Sequence, residues 1–239
     1  MTTTAKYGDI DILYEDNHLL VVNKPVNLLS QSDQTGDDDL QNLLKRYLKE
    51  RYQKPGNVFL ALVQRLDRGT GGVMVLARTS KAASRLSEQI RNREIEKNYL
   101  AVVASKQVQQ GVITHYLKKD KEQKKALVCK NAVPGGQKAV LEIAHLQTAG
   151  SKSLVSIALK TGRFHQIRAQ LSDVGMPIWG DRKYGAPSPP GTAMCLICNR
   201  LTFRHPTQQE TLTFAIGMPD NPPWNQFSTP EVDRSDTRP

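Results

Sequence analysis

Residues 62–77 read LVQRLDRGTGGVMVLA. An apolar run, 59–63, enters this stretch and another, 73–77, leaves it. Both are short, uncharged and rich in β-branched residues, which predicts two buried strands. Between them Arg65, Leu66, Asp67 and Arg68 are followed by Gly69, Gly71 and Gly72, residues that let a chain turn sharply or approach closely. An acid flanked by two arginines is thereby held on a tight connection between core strands, a firmer mounting for a reactive group than a mobile loop. The same residues also suit a solvated salt-bridge cluster of small energetic consequence, so the decision falls to the rest of the chain.

Upstream, 10–14 and 18–23 are strand-like, joined by the turn Glu15-Asp16-Asn17 and stopped by Lys24-Pro25. After a polar loop, 30–38, Asp38 or Asp39 can cap a helix over 40–52 whose Leu40, Leu43, Leu44, Tyr47 and Leu48 share a face. Downstream, Ser80 can cap a helix over 81–92, and 94–104 forms a strand carrying Tyr99. Residues 111–148 read as three strands, broken by the lysine-rich loop 118–125 and by Pro134-Gly135-Gly136. A strand over 153–160 leads into TGRFHQIR, 161–168, and a helix that Gly175, Met176 and Pro177 end. The turn 180–185 and strands at 201–204 and 211–216 complete the pattern. A tail of about eight residues at the start and a lightly anchored, irregular one over 219–239 are expected to flank one catalytic domain, 9–218.

The chain has 239 residues, with 33 Lys plus Arg against 23 Asp plus Glu, a formal charge of +10. Such a surplus favours a polyanionic partner, most simply nucleic acid. No apolar run approaches the roughly 20 residues of a membrane span, and MTTTAKYGDI lacks the apolar core of a secretory signal. The expectation is a cytoplasmic protein, monomeric and free of membrane contact. Three cysteines make no disulfide framework. Cys195 and Cys198 form a lone C-x-x-C with only His205 following, short of the four ligands zinc usually takes, so they read as core residues and no metal is expected. A phosphate loop, a zinc-binding His pair and a dinucleotide fingerprint are also missing from the sequence, which favours cofactor-free chemistry.

The second informative segment is TGRFHQIR itself. A glycine opens a strand-to-helix junction crowded with Arg163, His165, Gln166 and Arg168. Free N–H groups at the helix start suit an anion, and Arg168 could reach a carboxylate elsewhere in the fold; an ordinary capping cluster is the plainer alternative.

QRLDRGTGG, KNYLAVV, TGRFHQIRAQL and GDRKYG occur in this order after the opening YEDNHLLVVNKP. Together they resemble the motifs of the RluA-type family of RNA pseudouridine synthases, over about 11–216. The resemblance implies an α+β fold, with a mixed, largely antiparallel central sheet in two halves flanked by helices, and a basic catalytic cleft. It implies that Asp67 is the essential aspartate, that Tyr99 packs against the target base, and that Arg168 pairs with the aspartate. Arg65 falls on the arginine that fills the space of an extruded nucleotide in some relatives. Arg68, Arg163, His165 and Gln166 are the further expected RNA contacts. The implied substrate is a uridine in ribosomal or transfer RNA. Gln64 and Gln170 stand where histidine is frequent, Gly71 where serine is common, and Cys198-Asn199 departs from an LHA-type pattern.

Two rival readings remain at this level. A glycosidic hydrolase usually needs a second carboxylate, for which Asp181 is the nearest candidate, although GDRKYG reads as a structural turn. A non-catalytic RNA-binding or RNA-folding protein on the same scaffold would not need Asp67, Tyr99 and Arg168 in that order. Replacing Arg168 is expected to slow the reaction and leave the fold intact.

Overall fold

The computed structural model describes residues 5–34, 36–208 and 210–229. In chain order they form β1 (Ala5–Tyr7), β2 (Ile10–Glu15), β3 (Leu19–Lys24), α1 (Leu40–Arg51), β4 (Ala61–Leu62), β5 (Gly71–Ala77) and α2 (Ser80–Asn92). There follow β6 (Glu96–Val103), β7 (Gly111–Asp120), β8 (Lys125–Cys129), β9 (Gln137–Ala149), β10 (Lys152–Leu159), α3 (Gln166–Asp173), β11 (Leu196–Arg204) and β12 (Thr211–Ala215). The described chain divides into two compact units, one built from residues up to 95 together with 200–216, the other from 96–199 with 217–229. The second boundary falls inside β11, a continuous strand, so no linker composition marks it.

In the first unit β1, β2, β3 and β5 are successive antiparallel neighbours, with Val22 opposite Met74 and Lys24 opposite Gly72. Leu19, Val21, Val73, Val75 and Ala77 pack with Leu86 of α2 and with Leu201 and Phe203 of β11. The alternate residues Leu20, Val22, Met74 and Leu76 are equally buried. Both faces of β3 and β5 are therefore covered, which accounts for their continuous apolar runs. Asp39 caps α1 by accepting the Asn42 N–H at 3.0 Å. The cap of α2 is Thr79 rather than Ser80: its backbone is extended and its Oγ1 accepts from the Ala82 N–H at 3.2 Å.

Three expectations change. The strand expected over 59–63 shrinks to Ala61–Leu62. Gln41 Nε2 donates to the Leu60 carbonyl at 2.7 Å, taking a bond a neighbouring strand would use, and Phe59 is left 51% exposed. Residues 5–7, expected in a tail, pair with 10–12 as an edge strand. The segment after 219 is not lightly anchored where described: Trp224 and Phe227, on and just after a short 3-10 turn, are buried against Leu100, Val102, Leu154, Cys195 and Ile197.

That last cluster belongs to the second unit, an antiparallel sheet in the order β6-β10-β9-β7-β8. Helix α3 packs Ala169 against Leu117, Ala126 and Ala139. Cys195 and Cys198 are both buried, as core residues should be. The α+β class and the largely antiparallel sheets agree with the reading of the sequence.

Candidate active site

Asp67 lies in the loop between β4 and β5, half-buried, and that loop is clamped from three sides. Ser30, 4% exposed, donates its hydroxyl to the Leu66 carbonyl at 2.7 Å and accepts the Leu66 N–H at 3.2 Å. The Thr70 N–H closes a turn onto the Asp67 carbonyl at 2.9 Å. The fully buried Lys24 ammonium donates to the carbonyls of Pro25 (2.9 Å), Leu28 (2.7 Å) and Arg68 (3.4 Å), one for each of its protons. Burial pushes its pKa down to about 8, opposed by the negative charge of Asp67. Lys24 thus sets a buried positive charge near the Asp67 carboxylate.

At Gly71, a Cβ would sit 3.1 Å from Val26 Cγ1 and 3.2 Å from the Lys24 carbonyl oxygen. The serine implied at this position would therefore need the 24–26 backbone to give way. Arg68 is exposed yet tied down, with Nη1 2.6 Å from the Asp37 carboxylate and Nε donating to the Asn27 carbonyl at 3.2 Å. Arg65 is exposed on the same loop.

Lys24 is the residue the sequence reading overlooked, since there it served only as the stop of a strand. Replacing it by methionine leaves three carbonyls without their donor. Lys24→Met is expected to lower the unfolding free energy by about 3 kcal/mol and to slow turnover at least tenfold, read by urea denaturation and steady-state kinetics. The pH dependence has a definite sign. The unfolded chain holds this proton more tightly than the folded one, so Lys24 makes the protein gain stability as pH climbs from about 8 toward the normal lysine range. Lys24→Met should lack that rise.

Tyr99, Arg168 and their neighbours belong to the second unit, Asp67 to the first. Tyr99 sits inside β6, 6% exposed and opposite Ile157 of β10. It hydrogen-bonds Cys198, whose thiol burial pushes up to about 12 against the opposing pull of Lys97 and of this bond. Lys97, on the same face of β6 two residues earlier, is itself lowered by burial and raised by Cys198. The Cys198 departure thus lies against the tyrosine.

Arg168, on α3, grips Asp181 with two bonds, Nε to Oδ2 at 2.7 Å and Nη2 to Oδ1 at 2.9 Å, the two side chains 11% and 2% exposed. Its guanidinium carbon stands 5.1 Å from the centre of the Tyr184 ring. The Tyr184 hydroxyl accepts the Ala126 N–H at 2.7 Å and bonds His165 Nδ1 at 3.0 Å. A planar fork held on both oxygens and stacked on a ring has little freedom to turn. Asp181 therefore fixes Arg168, a role that 13 residues of separation conceal in the sequence.

The junction before α3 is closed by Gln166, 3% exposed, whose amide is engaged inward. Its Oε1 accepts from Thr161 Oγ1 (2.8 Å) and the Arg163 N–H (3.0 Å), and its Nε2 donates to the Val140 carbonyl (3.1 Å). Arg163 Nε donates to the Lys138 carbonyl at 3.1 Å, and His165 adopts a left-handed conformation, φ 50°. Gln170 is wholly buried and directs its amide nitrogen at the Ile113 and Ala139 carbonyls, so this departure lies in the core. Among the described residues no group of three or more His, Cys, Asp or Glu is placed to hold a metal, and no helix is long and apolar enough to cross a membrane.

Residues 18–173 match the family described as RNA pseudouridylate synthase. The chain is 31% identical to an uncharacterised RNA pseudouridine synthase (YhcT) of Bacillus subtilis strain 168, over 90% of this chain and 70% of that protein. It is 33% identical to the ribosomal large subunit pseudouridine synthase D of Neisseria meningitidis strain Z2491, over 89% of this chain but 59% of that protein's length. Among solved structures, human RNA pseudouridylate synthase domain containing 4 superposes with a TM-score of 0.71 at 25% identity, covering 87% of this chain and 88% of that one.

Proposed function

This chain belongs to the RNA pseudouridylate synthase family, and from that premise we propose that Asp67 opens the N1–C1′ bond of a target uridine, with Tyr99 against the base and Arg168 as a fixed positive charge. The reaction is an isomerisation: N1–C1′ breaks, the base turns, C5–C1′ forms, N1 gains a proton and C5 loses one. Asp67 acts at the sugar, by attack on C1′ or by removal of the C2′ proton. A deuterium at C2′ slows only the second route.

The observation that carries this reading is the clamped loop, which holds an acid beside a buried ammonium instead of leaving it among surface charges. Arg65, exposed on that loop, takes the place of the base that leaves the stack. Arg68, Arg163 and His165 are the side chains we assign to RNA contact, with Gln166 shaping the junction from within. The ribosomal substrate in the name of the Neisseria relative makes large-subunit ribosomal RNA the first substrate to test. The acting form in this reading is a cytoplasmic monomer.

The test is release of tritium from ribosomal RNA transcribed with [5-³H]uridine. Release together with pseudouridine in the digest is expected. Free uracil would mean a hydrolase, and tight binding without release would mean a binding protein. A second result is expected at Tyr99. Its ring offers a stacking face worth about 1–3 kcal/mol to a base, so Tyr99→Phe should keep most RNA affinity and Tyr99→Ala should lose it. Equal Kd values for all three forms would take the base off this ring.

A further inference from the structure

Phe164 lies 39% exposed between the half-buried Arg163 and His165. Its ring is flat against the His165 imidazole, with centroids 3.8 Å apart and planes 19° apart. The Lys119 ammonium stands 4.6 Å from the centre of the same ring. The His165 ring is held in turn by the Tyr184 hydroxyl at 3.0 Å. An exposed aromatic ring has thus been given a fixed orientation, which a residue left at the surface by default does not need.

The surroundings are strongly cationic. Residues 118–125, KKDKEQKK, span the end of β7, the turn after it and the first residue of β8, and carry five lysines against two acids. Of those acids, Asp120 has one carboxylate oxygen engaged by the Glu122 and Gln123 N–H groups, both at 2.9 Å. Lys183 donates to the Lys124 carbonyl at 3.3 Å and so brings another positive charge to the hairpin.

A preset ring among ammonium groups is the chemistry by which proteins hold single-stranded nucleic acid: the ring takes a base face and the cations take the phosphates. We propose that Phe164, backed by His165, is a stacking platform for an unpaired base of the RNA substrate other than the target uridine, and that Lys119 and the 118–125 hairpin hold the phosphates beside it. The proposal rests on the reading of this chain as an RNA-modifying enzyme and adds a second foothold for that RNA. An ammonium over an exposed ring is held weakly, so Lys119 can turn from the ring to a phosphate when a base arrives.

The test measures binding of the full chain to a 12-nucleotide oligouridylate and to an abasic strand of the same length, so it needs no turnover. Phe164→Ala and Phe164→Leu are expected to weaken oligouridylate binding on the order of tenfold and to leave abasic binding unchanged. Phe164→Trp should bind at least as tightly as the parent, with its added fluorescence quenched by the bases. Lys119→Ala should reduce the salt slope of log Kd by about 0.7. Unchanged oligouridylate binding by Phe164→Ala and Phe164→Leu overturns the platform, as does an equal loss on the abasic strand. The two readings fail separately. Platform behaviour without tritium release keeps the platform and sinks the enzyme; tritium release with Phe164-independent binding does the reverse.

Discussion

Asp67→Asn is expected to make no measurable pseudouridine, a loss of at least about 10³-fold, while RNA still binds. Removal of a group that acts directly on the reacting bond characteristically costs this much or more. The amide keeps the shape of the carboxylate but lacks the negative charge needed to attack C1′ or take the C2′ proton. Affinity should hold or improve, since a carboxylate near the RNA backbone is repelled by it. The Ser30 and Thr70 bonds use the main chain of 66–70, so the loop should keep its form. The substitution also removes the negative charge that raises the Lys24 pKa, which should then fall further below about 8. Normal turnover by this variant would remove Asp67 from the mechanism.

Arg168→Met should abolish activity too, but it will not leave the fold intact as the sequence alone suggests. Asp181 is 2% exposed and receives two bonds from Arg168. Stripped of them it becomes an unpaired buried charge, a loss of about 3–5 kcal/mol. The double variant Arg168→Met/Asp181→Leu removes the orphan as well, and should recover most of the melting temperature without recovering turnover. If it recovers turnover, Arg168 is structural. If Arg168→Met alone melts like the parent, the pair contributes nothing to stability.

The two changed expectations about Arg168 and Lys24 show where reading a sequence stops. The β5 strand and the first half of β3 are legible because burial on both faces writes itself as an unbroken apolar run. The R-L-D turn is legible because charge and glycine coincide within a few positions. Its supports are not. Ser30 meets Leu66 from 36 residues away, and Lys24 reaches the Arg68 carbonyl from 44, with nothing local to announce either. Trp224 and Phe227 went unnoticed for the opposite reason, since the prolines and asparagines around them read as a loose end. Gln166 looked like a surface contact because a polar side chain at a junction gives no sign, in sequence, of which way it turns.

The first unit takes Leu201 and Phe203 into its core, although the other buried members of that cluster lie at or before residue 95. On a ribosome the chain appears from its N-terminus, so this core waits for residues made more than a hundred positions later, with its apolar strands meanwhile uncovered. The second unit's 96–199 emerge as one uninterrupted run, yet its cluster around Leu100, Val102 and Leu154 closes only once Trp224 and Phe227 have been made. Neither unit can therefore complete its core until residues beyond 200 have left the ribosome.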